Sequence, residues 1–98
     1  MSLPLIINPK AEADLDEAKA WNNKQRTGLG DEFLDCVREA LDQIRQWPRL
    51  SRTVFQDLRR KLVRRFPYGV FYRLDDDQIT IVAVYHCKRD PRGWQKRA

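Results

Sequence analysis

The segment from Ile79 to Tyr85 is apolar at every position except Thr80. Side chains alternate between the two faces of a β-strand, so this segment places apolar groups on both faces. One face would carry Val82, Val84 and His86, and the other Ile79, Ile81, Ala83 and Tyr85. A strand of this kind needs cover on both faces, which predicts the central strand of a small sheet. The run is far shorter than the roughly 20 residues of a membrane span, so we expect no membrane association.

The first half of the chain has the periodicity of two amphipathic helices. One runs from Pro9 to about Arg26 and the other from about Asp31 to Trp47, with a glycine-containing joint at residues 27–30 between them. Asn8 is a favourable N-cap residue for the first helix, and Pro48 ends the second. We expect an antiparallel helical hairpin whose core or contact surface includes two tryptophans, Trp21 and Trp47.

The remaining apolar segments are short and typical of strands. They are Leu3–Ile7, Val54–Phe55, Arg59–Phe66 and Val70–Leu74, and three aspartates form a turn before the last strand. The predicted fold is therefore α+β, in the order β-α-α-β-β-β, with an N-terminal strand and a helical hairpin packed on a small antiparallel sheet. At 98 residues, we expect a single domain over residues 1–98. The hairpin would cover one sheet face and leave the other open as a binding surface.

Charge is distributed unevenly along the chain. Residues 1–50 hold seven basic and nine acidic residues, whereas residues 51–98 hold twelve and five, for a net charge of +5 in total. The basic residues form two clusters: Arg59, Arg60, Lys61, Arg64, Arg65 and Arg73, then Lys88, Arg89, Arg92, Lys96 and Arg97. Clusters of one sign favour an acidic ligand, which would be nucleic acid or an acidic protein. One histidine and two cysteines are too few for a typical zinc site, so we expect no metal and no cofactor.

Two longer motifs carry a resemblance to a known family. They are Arg64-Arg65-Phe66-Pro67-Tyr68-Gly69-Val70-Phe71-Tyr72-Arg73 and Val84-Tyr85-His86-Cys87-Lys88-Arg89-Asp90-Pro91, supported by Gly28-Leu29-Gly30-Asp31-Glu32-Phe33. With the order of elements, they make nearly the whole chain resemble the RelE/ParE superfamily of type II toxin-antitoxin toxins, in its ParE-like branch of plasmid stabilisation proteins. The resemblance implies a bacterial cytoplasmic toxin, and the absence of a signal sequence agrees with the cytosol.

The resemblance also implies the partners. A cognate antitoxin, expected to be acidic and amphipathic, would fold its disordered C-terminal segment onto the toxin. The target would be DNA gyrase for a ParE-like toxin, or mRNA in the ribosomal A site for a RelE-like one. A chromosomal remnant that binds antitoxin without being toxic is a third alternative. Fold alone does not choose among them.

Metal-free cleavage of RNA needs a base, an acid and cations that stabilise the phosphorane. In a RelE-like nuclease, Arg64, Arg65 and Arg89 could supply the cations, and His86 has a pKa range suited to proton transfer. RelE-like nucleases also use a tyrosine in the C-terminal tail, and residues 92–98 contain none. We therefore expect a toxin that binds DNA gyrase, with the ribosome-dependent mRNA endonuclease as the alternative.

The expected antitoxin-binding or target-binding residues are Arg64, Arg65, Arg73, His86, Lys88, Arg89 and Trp94. Structural roles compete with binding at several of them. His86 and Arg89 could each pair with Asp90, and Trp94 could pin the tail to the domain. Because neighbouring strand residues alternate, we expect only one of Arg64 and Arg65 on the open face.

Overall fold

The computed structural model describes residues 3–98 of the chain. Its elements are β1 (Leu5–Ile7), α1 (Pro9–Gln25), α2 (Leu29–Gln46), β2 (Thr53–Phe55), β3 (Leu58–Leu62), β4 (Tyr68–Leu74), β5 (Ile79–His86) and α3 (Arg92–Gln95). The predicted α+β class and the helical hairpin are confirmed. The predicted extended segment Val54–Phe55 lies in a strand of its own, β2, so three strands after the hairpin become four, and the short helix α3 was not predicted.

The five strands form one sheet in the order β1-β5-β4-β3-β2. Strands β2 to β5 are antiparallel to their neighbours, whereas β1 runs parallel to β5, opposite Ile79–Ile81. The predicted antiparallel sheet is confirmed for β2 to β5, and the N-terminal strand joins it in the parallel direction, so the whole sheet is mixed. As predicted, β5 lies inside the sheet, between β1 and β4.

Local residues set both the start of the helical hairpin and the turn between its helices. The Asn8 side chain accepts a hydrogen bond from the backbone N–H of Ala11 at 3.0 Å, and Pro9 occupies the first turn of α1. Gly28 joins the helices with a φ of 88°, a conformation that glycine adopts without strain. Gly30 lies so close to α1 that a Cβ atom there would be 2.5 Å from the Lys19 carbonyl oxygen. The hairpin thus depends on the absence of a side chain at Gly30.

Replacing Gly30 with alanine should push α1 and α2 apart, because the atom it meets is backbone. We expect a loss of about 1–3 kcal/mol in the free energy of unfolding, measured by urea denaturation. Gly69→Ala is the matched control, since its nearest neighbours are side-chain carbons of Arg60 at 3.1 and 3.2 Å, which can move. Equal losses for both variants would contradict the close backbone approach.

A β-bulge in β5 changes which residues share a face. Phe71 pairs with Ala83 and Tyr72 with Ile81, so Val82 has no partner of its own on β4. Val84 consequently joins Ile79 and Ile81 in the core beneath the hairpin, while Val82, Ala83 and Tyr85 pack in a second cluster on the opposite face. The strict alternation predicted for this strand is therefore wrong beyond Ile81.

The sheet face away from the hairpin, which we call the outer face, is covered by the C-terminal tail. Trp94 of α3 stacks on Phe71 with ring centroids 4.1 Å apart and meets the Phe55 ring edge-on at 6.1 Å. Only 7% of Trp94 remains exposed. The expectation of an open outer face is thus wrong, because its apolar residues needed cover and the tail provides it.

Candidate functional site

A wide concave surface lies between α1 and the C-terminal end of β5, and encloses about 720 Å³. We call it the α1 groove. Its walls are Asp14, Glu17, Ala18, Ala20, Trp21 and Lys24 on α1, and Tyr68, Val84, His86, Lys88 and Arg89 on the strands and the turn after β5. The groove exists because β1 ends at Ile7, opposite Ile81, and leaves the rest of β5 without a neighbouring strand on that side.

A buried ion pair closes the β5 edge at one end of the groove. The Asp14 carboxylate accepts hydrogen bonds from the Arg97 guanidinium at 2.6 and 3.1 Å and from the Val84 backbone N–H at 3.0 Å. Arg97 also donates to the Val82 carbonyl oxygen at 3.2 Å. The hydrogen bond with Asp14 is the main reason why the pKa of Arg97 is raised. The Asp14 and Arg97 side chains therefore take the place of a further strand, because they bind the Val84 N–H and the Val82 C=O on the edge of β5. Both oxygens of the Asp14 carboxylate are engaged in these contacts and in the ion pair.

His86 is held in one orientation at the mouth of the groove. Its Nδ1 accepts a hydrogen bond from the Lys88 backbone N–H at 3.0 Å, and its ring meets the Tyr68 ring edge-on with centroids 5.1 Å apart. The neutral imidazole must then carry its proton on Nε2, so the lone pair that a general base needs is taken. Burial raises the pKa of Tyr68, which keeps its phenol protonated. Both rings present hydrogen-bond donors.

Arg89 lies over the face of Tyr85, with its guanidinium carbon 4.2 Å from the ring centroid. Asp90 pairs with neither Arg89 nor His86, so the structural alternative considered for these two residues is not formed. Asp90 instead binds Arg92, at 2.7 Å for the shortest contact, and this contact lowers the pKa of Asp90. Among residues 3–98, no carboxylate lies within ion-pair distance of Arg89, Lys88 or Lys24. Together with Glu17, the groove carboxylate that does not pair within residues 3–98, these three cations leave the groove lining with a net positive charge.

Arg64 and Arg65 lie away from the groove, in the turn between β3 and β4. Arg64 donates two hydrogen bonds to Glu39 at 2.8 and 3.0 Å, and Arg65 contacts Glu32 at 3.3 Å. The pKa of Glu39 is lowered by Arg64, and that of Glu32 by Arg26 first and Arg65 second. Both arginines therefore face α2, and the expectation that one of them lies on the open sheet face is wrong.

Arg73 and Trp94 belong to the covered outer face. Arg73 pairs with Asp57 at 3.3 Å and donates to the Arg97 carbonyl oxygen at 3.5 Å, and Trp94 is buried against Phe71. Of the seven residues predicted to bind a partner, the groove thus brings together His86, Lys88 and Arg89 and excludes the other four. Trp94 has the pinning role that the sequence offered as its alternative.

Sequence reasoning missed the contribution of α1. Trp21 was expected in the core or the hairpin contact, yet it is 56% exposed on the groove wall, and Trp47 is exposed as well. Tyr68 also lines the groove, although it was not among the residues predicted to bind a partner. The available signal for Trp21 was its position beside polar Asn22 and Asn23 in α1, which interrupts the apolar stripe.

Residues 3–98 were compared with the requirements of a metal site and of a membrane-spanning helix. Within residues 3–98, no cluster of three or more histidine, cysteine, aspartate or glutamate side chains is arranged to bind a metal ion. None of the helices described there combines the length and apolarity of a membrane span.

Several solved structures with the same fold come from toxin-antitoxin systems. The chromosomal ParDE system of P. aeruginosa matches with a TM-score of 0.69 and 18% identity, over 89% of this chain and 98% of the other. The RelBE2 toxin-antitoxin complex of Mycobacterium tuberculosis matches with 0.63 and 22%, over 88% and 99%. A doubly mutated E. coli toxin RelE in the free state matches with 0.69 and 14%, over 100% and 95%. The fold is that of the RelE/ParE superfamily.

A match between the amino-acid sequence and a family model identifies the family. Residues 5–91 match the model of the ParE toxin of the type II toxin-antitoxin system parDE, and the chain belongs to this family. No curated protein sequence is significantly similar to it.

Proposed function

We propose that this protein is a cytoplasmic bacterial toxin that acts by binding DNA gyrase and is neutralised by an acidic antitoxin. The observation that supports binding over catalysis is the position of Arg64 and Arg65, two of the three cations predicted for catalysis. Arg64 and Arg65 contact α2 carboxylates at 2.8–3.3 Å and lie outside the groove that contains His86 and Arg89. Two of the three cations that RNA cleavage was expected to use are therefore separated from His86 and Arg89.

The proton-transfer groups also favour binding. His86 has its Nδ1 lone pair occupied by the Lys88 N–H, and Asp14 is engaged with Arg97. A binding surface needs neither base nor acid, and the groove offers what protein interfaces use: an exposed tryptophan, a tyrosine and an unpaired arginine. Trp21, Tyr68 and Arg89 are the residues we assign to the target contact.

The same groove fits an acidic antitoxin segment. Lys24, Lys88 and Arg89 have no carboxylate partner within residues 3–98, and the Trp21 ring on the same groove is more than half exposed. A segment that folds on binding must offset its ordering cost with extensive contact, so we expect an interface of about 1,600 Å² or more. Its acidic side chains would meet the three cations and its apolar side chains the Trp21 ring.

A gyrase assay with purified toxin tests the proposal. We expect the protein to inhibit supercoiling or stabilise cleaved DNA, and Arg89→Glu to weaken this effect at least about tenfold, since it reverses a charge at the interface centre. Arg52→Glu is the matched control, because it makes the same charge change at an exposed arginine outside the groove. Antitoxin binding, measured by calorimetry, should also weaken in Arg89→Glu and persist in Arg52→Glu.

Three results would overturn the gyrase assignment. Gyrase that keeps its full activity at saturating toxin would remove the target. Cleavage of mRNA in a translation extract, lost in His86→Ala while antitoxin binding persists, would establish the endonuclease alternative. Overexpression without antitoxin that leaves growth unchanged would identify a non-toxic remnant.

A further inference from the structure

Strand β1 forms one edge of the sheet, and half of its backbone hydrogen-bonding groups point away from the protein. The Ile79 N–H donates to the Pro4 carbonyl at 2.9 Å, and the Asn8 N–H donates to the Ile81 carbonyl at 3.1 Å. In a parallel ladder this pattern turns the groups of residues 4, 6 and 8 toward β5. The N–H and C=O groups of Leu5 and Ile7 therefore face outward, and no strand of residues 3–98 lies beside them.

This edge is protected by its short length of three residues and by the preceding Pro4, but it lacks the charged side chains and bulges that oppose strand pairing. β1 contains no charged residue and no bulge, and 46% of Ile6 is exposed on the sheet face opposite the hairpin. The opposite edge, β2, follows Arg52 and carries a register shift between Thr53 and Phe55. The β5 edge beyond Ile81 is closed by the Asp14–Arg97 pair. The β1 edge is thus the site where this sheet can accept another strand.

Charges at the two ends of β1 identify the strand that fits. Near its start lies the turn between β4 and β5, with the exposed residues Asp75, Asp76 and Asp77 shortly before Ile79, the partner of Leu5. At its end lies Lys10, exposed in the first turn of α1. None of these four has an ion-pair partner among residues 3–98. The edge is negative at one end, apolar in the middle and positive at the other end.

An antiparallel second copy of this chain matches such an edge, because it brings the negative end of each copy to the positive end of the other. A partner segment with charge of a single sign would meet like charge at one end. Strand β1 is aliphatic and neutral, so two copies of it can also pack against each other at Ile6. Two molecules of net charge +5 repel each other over most of their surfaces. At this edge, the aspartates of each copy would instead attract Lys10 of the other.

We propose that two copies of the protein associate through β1, around a two-fold axis at Ile6. Leu5 of each copy pairs with Ile7 of the second copy, and these pairs exchange four N–H···O=C hydrogen bonds. Ile6 faces Ile6 of the second copy as a non-hydrogen-bonded pair, with Cα atoms about 4.5 Å apart. The two five-stranded sheets become continuous. A contact of three residues per strand is small, so the dimer is weak and depends on protein concentration.

Cysteine cross-linking tests the two-fold axis. In a Cys87→Ser background, which removes the exposed native thiol, Ile6→Cys places two thiols at a spacing that a disulfide can bridge. We expect mild oxidation to give a covalent dimer at least about fivefold faster than with Val54→Cys, a residue of similar exposure (39%) on the β2 edge. Equal rates for the two variants would overturn the proposal.

Sedimentation from about 10 μM to about 1 mM covers the range expected for a small interface. We expect a monomer–dimer equilibrium whose dissociation constant rises about tenfold or more in Ile6→Lys, because charge on an edge strand opposes pairing. Lys10→Glu should raise it as well, and it suits the first turn of α1. A monomer throughout this range, or dimers that persist in Ile6→Lys, would overturn the proposal. Urea denaturation of each variant verifies that the fold is intact.

Discussion

Replacing Asp14 with asparagine is expected to lower the free energy of unfolding by about 3–5 kcal/mol, because it leaves the Arg97 guanidinium without its counter-charge in a largely buried position. Asp14 is 7% exposed, and it accepts three hydrogen bonds that join α1, β5 and the tail. Asparagine keeps an oxygen for the Val84 N–H, so the loss reports mainly on the charge. Equilibrium urea denaturation measures it.

Two further variants separate the buried charge from charge in general. Glu39→Gln removes the partner of Arg64 in an exposed pair, and we expect only a small change because exposed pairs contribute little. The double variant Asp14→Asn with Arg97→Met should recover much of the loss, since it removes the uncompensated cation along with its partner. A single Asp14→Asn variant as stable as the wild type would contradict the structural role of this pair.

Local sequence signals predicted the parts of this fold that depend on neighbouring residues. Asn8 and Pro9 set the start of α1, and the apolar run at residues 79–85 predicted an interior strand. The parallel position of β1 was missed, because a strand of three residues carries no mark of its direction. The bulge at Val82 was missed for a related reason, since it is defined by the register against β4.

The site was harder to predict because its contacts are distant in sequence. Arg64 reaches Glu39 across 25 positions and Arg65 reaches Glu32 across 33, so neither partner could be identified from strand alternation. The alternation itself fails there, because Arg65 adopts a φ of 72° in a turn that was expected to be extended. Asp14 and Arg97 are 83 positions apart. Only His86, Lys88 and Arg89, which are close in sequence, were predicted together and are found together in the α1 groove.

The covered outer face has an energetic consequence for the tail. Trp94 is the main apolar side chain that α3 contributes to the second core cluster, where it meets Phe71 and Phe55. The approach is close, since a Cβ atom at the adjacent Gly93 would lie 2.5 Å from the Tyr85 hydroxyl oxygen. Without the indole, little apolar contact would remain to offset the entropy of ordering the last residues.

Trp94→Ala is therefore expected to lower the free energy of unfolding by about 3–5 kcal/mol and to make the tail sensitive to proteolysis. Trp47→Ala is the matched control, because this indole is 58% exposed and its removal should change stability little. Trp94→Phe should retain a large part of the stability, since a phenyl ring can still stack on Phe71. Release of the tail would also withdraw Arg97 from Asp14 and from the Val82 carbonyl oxygen. Proteolytic removal of the tail in the Trp94→Ala variant should therefore expose the β5 edge that borders the α1 groove. A Trp94→Ala protein with wild-type stability and a protected tail would contradict this coupling.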